Sequence, residues 1–561
     1  MTLAGAVIVS GFVALTLTPM MCSKILKHNP TPGRIFTLIE NAFKRMENGY
    51  RQLLRAALRL RALVLLLAIC VAGGSAFLFN SLQSELAPVE DRGILRVRGV
   101  APEGSTLAYT SRYTADIDEI LAQIPEVRTR LVINGLPDVS QFLVNARLKD
   151  WDERVRSQQD LSAELAPKLR RIPGVQAFTN SPGSFGQRGA ARPIEFVIQS
   201  SGTYEDLQGH VDKMLERITA YGGLESVNTD LKLNTPEFRI QLDRPKIADL
   251  GLQIDVVGRT LETLLGGRQV TRFEQNGEQY DVYVRLADEE RASPATLATI
   301  FLRSSRGEMV QLSNVATVTE AVGPKELKRF NQLRSVTISA NLAPEVSLGA
   351  ALAFLDTAAR DALPGSVQTD LNGQSRDFRA SGQSLALVFI LALGFIYLVL
   401  AAQFESFRDP VIIMITVPLS MTGALGALYL TGGSLNVYSQ IGLVTLVGLI
   451  TKHGILIVEF ANQQQMEGKD RTTAVVDAAT IRLRPILMTT GAMVLGALPL
   501  ALADGAGAES REQIGWVIVG GMSLGTLLTL FVIPAVYSFI GAHHHRIVSA
   551  GPEMGLSADK R

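Results

Sequence analysis

The chain has 561 residues, too many for one ordinary domain, and its 54 Lys+Arg against 53 Asp+Glu give a formal net charge of +1, without the basic excess of a nucleic-acid binder. Hydrophobic residues make up 47% and charged residues 19%, and the mean hydropathy is positive, the mark of apolar spans combined with polar domains. Cys22 and Cys70, both inside apolar runs, support neither a disulfide framework nor a cysteine metal site, and the first apolar run ends in Lys24 and Lys27 rather than at the small-residue site of a cleavable leader.

In chain order, residues 3–22 form the first of seven stretches that reach the roughly 20 apolar residues a helix needs to cross a bilayer. Lys24, Lys27, Arg34, Lys44, Arg45, Arg51, Arg55, Arg59 and Arg61 follow, so the positive-inside rule predicts that this segment is cytoplasmic. Within it Ile35, Leu38, Ile39, Ala42, Phe43, Met46 and Tyr50 recur at helical spacing among basic residues, which predicts an amphipathic helix on the inner membrane surface. The second span is 62–82. Parity then places 85–381 outside the cytoplasm.

That block alternates strands and helices. Residues 93–100 ("GILRVRGV"), 127–133 and 141–148 read as strands, and 106–124 and 161–171 as helices. The pattern restarts with a strand at 194–199, a helix at 204–220 and a strand at 237–242. A stretch from 243 to about 322, with a helix near 256–265 and the alternating strand "EQYDVYVRL", reads as an insert, because a strand at 334–342 and a helix at 347–362 resume the series. The expectation is two βαβ subdomains, the second split by the insert.

Five spans follow at 385–402, 410–430, 437–460, 485–503 and 514–540. Arg408, the 469–484 loop and the tail with Arg546, Lys560 and Arg561 fall on the cytoplasmic side, and the N-terminus falls outside, which leads to the expectation that more chain preceded Met1.

Among the seven spans as bounded here, the fifth carries the ionisable residues that need a reason: Lys452, His453 and Glu459 in "VTLVGLITKHGILIVEF". A charge at mid-bilayer costs about 2.5–3.5 kcal/mol on insertion scales and marks function by default. Glu459 shares a helical face with Lys452 but lies about 10 Å along the axis, too far for a direct pair. Partial snorkelling of Lys452 is the alternative to a partner carboxylate. In "IRLRPILMTTG", Arg482 and Arg484 mark the cytoplasmic mouth and Thr489 lies about a turn and a half inside, readable also as positive-inside anchors and a back-bonded hydroxyl.

On "SGFVALTLTPMMCSKIL", "GLITKHGILIVEFANQ", "RLRPILMTTGAMVLGALPL", "GWVIVGGMSLGTLLTLFVIPAVYS", "LAPVEDRG", "VINGL", "RLKDW" and "QFESFRDP", the sequence resembles the C-terminal half of resistance-nodulation-division efflux transporters, in the hydrophobe/amphiphile multidrug branch. The resemblance implies a membrane α-helical bundle of seven transmembrane helices, like helices 6–12, with a large α+β periplasmic porter region. It implies a helix-6-like segment at 1–26, the amphipathic helix at 30–60, helix 7 at 61–84, porter subdomain PC1 at 85–188, PC2 at 189–240 and 325–375, a funnel subdomain DC at 241–324, helices 8–12 at 380–541 and a cytoplasmic tail at 542–561. It implies an inner-membrane, non-enzymatic permease without a cofactor. Proton antiport would drive it, and its partners would be a trimer or an N-terminal half, a periplasmic adaptor and an outer-membrane channel. Its substrates would be hydrophobic or amphiphilic small molecules.

By the same resemblance Lys452, Thr489 and Arg482 match a proton relay whose aspartate pair belongs to a helix 4 not encoded here, with His453 and Glu459 as modulators. Two carboxylates near one ammonium titrate as a coupled group, and a helix shift follows protonation. Leu131, Asn134, Phe142 and Asn145 match the substrate pocket, with Leu131 and Asn145 standing where phenylalanines are common. His453 replaces a common asparagine and reads as a neutral hydrogen-bonding side chain, with titration near neutral pH as the alternative. A truncated fragment or assembly partner is the competing reading, which the start at Met1 favours. Heavy-metal efflux is weaker, since the external block offers only Met214 and Met309. His543–His545 reads as a solvated tail. No catalytic triad or phosphate loop argues for an enzyme.

Overall fold

The computed structural model describes residues 2–25, 34–136, 138–180, 192–291, 293–343 and 346–542. The tail residues His543–His545 and the ends of the expected PC1 and tail segments lie outside them. The chain divides into two compact units, one made of 1–82, 384–503 and 510–561, the other of 83–383 and 504–509.

The chain begins with α1 (Thr2–Ile25), whose described side chains are all exposed, then α2 (Arg34–Arg59) and α3 (Arg61–Ser81). A first α+β subdomain follows: β1 (Ile94–Val100), α4 (Leu107–Ala122), β2 (Val127–Asn134), β3 (Gln141–Leu148), α5 (Gln158–Arg170) and β4 (Gln176–Asn180). The sheet order is β2-β3-β1-β4 and every neighbouring pair is antiparallel. The βαβ expectation is therefore corrected in one respect: the two strands joined by each helix are not neighbours, because a third strand lies between them, giving split βαβ units. Thr106 caps α4, and Ser157 with Asp160 forms a capping box on α5, satisfying amides that have no partner within the helix. Period-2 burial along β3 turns Phe142, Val144 and Ala146 toward Ile117, Leu121, Leu161 and Leu165 of the helices. Each of these buried Phe, Val, Leu and Ile side chains contributes about 1.5–3 kcal/mol. Gly99 of β1 pairs with Phe142, and a Cβ there would fall on the phenylalanine ring.

A second sheet opens with β5 (Ile194–Ser200), α6 (Tyr204–Tyr221) and β6 (Leu224–Thr229). The chain then leaves it for β7 (Thr235–Leu242), α7 (Arg244–Asp249), α8 (Ile254–Leu261), β8 (Arg268–Gln275), β9 (Glu278–Val284), α9 (Pro294–Ala298), β10 (Phe301–Arg303), β11 (Met309–Gln311) and β12 (Ala316–Gly323). This excursion has its own core of Ile247, Leu252, Val257, Leu302, Leu312 and Val315, and an exposed hairpin β8–β9. The chain returns through β13 (Arg329–Phe330), β14 (Leu333–Leu342), α10 (Leu348–Ala362) and β15 (Gln368–Leu371). β14 pairs antiparallel with both β5 and β6, and β15 pairs with β5, so the second subdomain repeats the strand arrangement of the first.

The last six helices are α11 (Gly373–Phe404), α12 (Arg408–Met414), α13 (Thr416–Leu430), α14 (Val437–Met466), α15 (Arg471–Ala501) and α16 (Ala508–Ile540). The break between α12 and α13 precedes Pro418, which cannot donate to the carbonyl of Met414 and crowds it. Among the described residues, seven helical stretches are long and apolar enough to cross a membrane, with α12 and α13 counted as one. Gly423 of α13 and Gly520 of α16 approach so closely that a Cβ on either would stand 2.5–2.6 Å from the other's carbonyl oxygen. Small residues permit such packing where lipid removes the hydrophobic drive.

Two sequence boundaries are corrected. The expected 469–484 loop is mostly helix: Asp470 caps α15, and Val475, Val476, Ala478 and Ala479 are buried in a core shared with Tyr50 and Leu54 of α2. The polar face of the same stretch carries Asp477, paired to Arg51, and Arg484, paired to Glu40, so its charge masked a packed helix. The fourth span begins at Arg408, which brings Asp409 inside a helix and buries it, where Asn462 donates to its Oδ2 at 2.9 Å.

Candidate functional site

Two groups of residues stand out, one in each unit. In the helical unit α14 is enclosed by α12, α13, α15 and α16, with Leu446, Val447, Ile450, Ile457 and Val458 buried. Asn436 caps its start through a capping box with Ser439. Lys452 and Glu459 share its one exposed stripe. Among the described residues Lys452 has neither an ion-pair nor a hydrogen-bond partner. Asp409 does not serve: its partner Asn462 lies ten residues further along α14, about 15 Å at 1.5 Å per residue.

Arg482 and Thr489 lie on α15, packed beside α14. The Arg482 guanidinium sits 4.7 Å above the Phe460 ring, next to Glu459 in the chain. Thr489 donates back to the Ile486 carbonyl at 3.0 Å. No hydrogen bond or ion pair joins Lys452, Glu459, Arg482 and Thr489 among the described residues.

His453, the next residue after Lys452, is completely buried. Its Nε2 lies 3.2 Å from Thr490 Oγ1 and its Nδ1 3.3 Å from Thr526 Oγ1. Thr490 donates to the Ile486 carbonyl at 2.9 Å, so it can accept from Nε2–H while Thr526 donates to Nδ1. One imidazole thus reaches hydroxyls on α15 and α16, and among the described residues no carboxylate hydrogen-bonds to it. Thr490 and Thr526 were not singled out in the sequence. They follow His453 by 37 and 73 residues, and only helix packing brings them to it.

In the α+β unit a cleft of 320 Å³ opens between the two subdomains. Phe142 and Phe178 supply aromatic edges, and Arg98, Arg192 and Lys232 supply cations. The Arg192 guanidinium lies 4.8 Å above the Phe178 ring and reaches the Ser339 carbonyl at 3.3 Å, linking the two sheets. Burial holds Arg192 and Lys232 below the usual pKa of their kinds, and burial with the adjacent Arg96 does the same to Arg98. At the mouth Lys325 contacts Glu103 at 2.8 Å, Ser140 at 3.0 Å and the Asp138 carboxylate. Burial pushes the Asp138 carboxyl up, but Lys325 and Ser140 outweigh it and hold it below the ordinary range. Burial likewise opposes the Lys325 charge, and Asp138 and Glu103 outweigh it, raising the lysine above its usual value.

Of the four pocket residues expected from sequence, Phe142 alone lines this cleft, and most of its ring lies in the first core. Leu131 is 56% exposed on β2 and is not part of the cleft. Asn145 pairs with it across the sheet and accepts from Arg96 Nε at 3.0 Å. Asn134 donates to Ser111 at 3.2 Å. Residues 98, 178, 192, 232 and 325 come from distant segments, which no local motif connects. No group of three or more His, Cys, Asp or Glu among the described residues is placed to hold a metal ion.

The model of the AcrB/AcrD/AcrF family matches residues 1–541, and the chain belongs to that family. It is 40% identical over 553 residues to an uncharacterized transporter of Haemophilus influenzae, covering 97% of this chain and 53% of that protein. It is 31% identical over 563 residues to the multidrug/solvent efflux pump membrane transporter MepB of Pseudomonas putida, covering 96% of this chain and 53% of the relative. The toluene efflux pump membrane transporter TtgB of Pseudomonas putida matches to the same extent. The chain thus spans about half the length of these curated relatives.

Proposed function

We propose that this chain forms the C-terminal half of an inner-membrane efflux permease that exports hydrophobic or amphiphilic molecules in exchange for protons. The observation that carries the reading is Lys452, an ammonium on a central helix with an exposed stripe and no partner among the described residues. Such a charge within a bilayer calls for a counter-ion. A carboxylate pair on an N-terminal half would supply it, and its protonation would release Lys452 and shift α14 against α15, where Arg482 and Thr489 lie. The fully exposed apolar side of α1 supports packing against that same half.

The substrate class rests on the solvent and toluene pumps among the relatives and on the aromatic edges of the cleft. The α+β unit lies in the periplasm, and the assembly is a trimer working with an adaptor and an outer-membrane channel. Lys452→Met, produced with an N-terminal half carrying the carboxylates, is expected to insert normally and to lose solvent and dye efflux. Unchanged efflux at equal abundance would remove Lys452 from coupling.

A further inference from the structure

The proton-coupling reading leaves unused a groove in the helical unit between α2 and the first turns of α15. It measures 280 Å³ and is lined by Arg55, Arg59, Thr472, Thr473 and Asp477. Asp477 is already held by Arg51 at 3.0 Å and Lys469 at 2.9 Å. Its carboxylate therefore does not neutralise the two groove arginines, which have no ion-pair partner among the described residues. The groove is net positive. The first amides of α15 do not account for this, since Asp470 caps Thr472 and Thr473 at 2.9 and 3.1 Å. Just past Arg59, Leu60 and Leu63 at the start of α3 are 60% and 59% exposed, so apolar surface follows directly on the arginines in the chain.

We propose that this groove binds the phosphate of an anionic phospholipid headgroup, held by Arg55 and Arg59 with the Thr472 hydroxyl as a further donor. Guanidinium forks match phosphate geometry in two-point hydrogen bonds. A lipid whose chains run along Leu60 and Leu63 would bring its phosphate to the groove mouth, and basic residues at a membrane face attract anionic lipid. The bound lipid would tie α2 to α15, the helix that carries Arg482 and Thr489. The inference rests on α2 lying at the membrane face, not on transport itself.

Native mass spectrometry of the full chain released from nanodiscs of phosphatidylglycerol and phosphatidylcholine tests it. The expected result is one retained phosphatidylglycerol per chain, with the retained fraction falling roughly fivefold or more in Arg55→Gln/Arg59→Gln. Lys44→Gln/Arg45→Gln, which removes the same charge from exposed positions of α2 outside the groove, is expected to retain the lipid. Equal retention in the first variant, or equal loss in the second, would overturn the site. Displacement of the lipid by millimolar inorganic phosphate would assign the groove to a soluble phosphate ester and overturn the lipid source. A tryptophan replacing Leu53 and quenched by brominated lipid would separate the two ideas. Quenching without arginine dependence removes only the site, whereas no quenching removes the membrane placement of α2 as well.

Discussion

At the scale of single residues, neighbours in sequence do opposite things. Lys452 points to an exposed stripe while His453 turns inward to join hydroxyls from two other helices. If the imidazole acts as a neutral bridge between these hydroxyls, His453→Asn is expected to leave the pH profile of efflux unchanged. A profile displaced by a unit or more would show that the histidine titrates in the cycle. His453→Leu removes the bridge and is expected to lower thermal stability by about 0.5–1.5 kcal/mol, read from a melting curve in detergent. Lys452 was legible in the sequence because a cation in an apolar run is conspicuous by itself. Its neighbour's partners were not, because Thr490 and Thr526 look like any hydroxyls in a helix until packing selects them. Asp409 escaped for a different reason. It stands one residue outside the apolar window that defined its span, and only the helix start at Arg408 brings it inside.

At the scale of elements, strands and helices of the α+β unit could be read from alternation and capping residues, as with β3, whose bounds of 141–148 match the alternating run. The order of strands could not, since split and adjacent βαβ units leave the same local pattern. The glycine at position 99 is the trace that register leaves in the sequence. Gly99→Ala would push a methyl onto the Phe142 ring and is expected to cost about 1–3 kcal/mol, while Phe142→Leu in the same chain should recover part of it. Equal stability of the single variant and wild type in chemical denaturation would contradict this packing.

The Lys325 contact likewise joins two elements that sequence cannot connect, the return from the insert and the β2–β3 loop. Lys325→Met is expected to cost about 1–2 kcal/mol and to speed hydrogen exchange around Ser140. Its pH dependence follows from the two shifts. Asp138 is depressed in the fold, so its contribution is complete above about pH 3.9 and is lost as pH falls through the lower folded value. Lys325 is raised, so its contribution is complete below about pH 10.4 and is lost as pH rises through the higher folded value. Local protection at Ser140 should therefore be flat from about pH 5 to about pH 9, once intrinsic exchange is corrected. A change within that window would mean that another group holds the contact.

At the scale of the whole molecule, membership of the AcrB/AcrD/AcrF family sets the frame, and the chain spans about half the length of its curated relatives. Among the described residues Lys452 has no partner, Glu459 is exposed, and the side chains of α1 are exposed along its length. Under the proposed function the partner carboxylates would lie on an N-terminal half, and the proton gradient would act through Lys452. The most direct test is proton flux in liposomes holding both halves under an imposed pH gradient. Substrate added to the lumen should accelerate collapse of the gradient with Lys452 present and leave it at the leak rate in Lys452→Met. Substrate-driven proton flux of equal size in the variant would contradict the account.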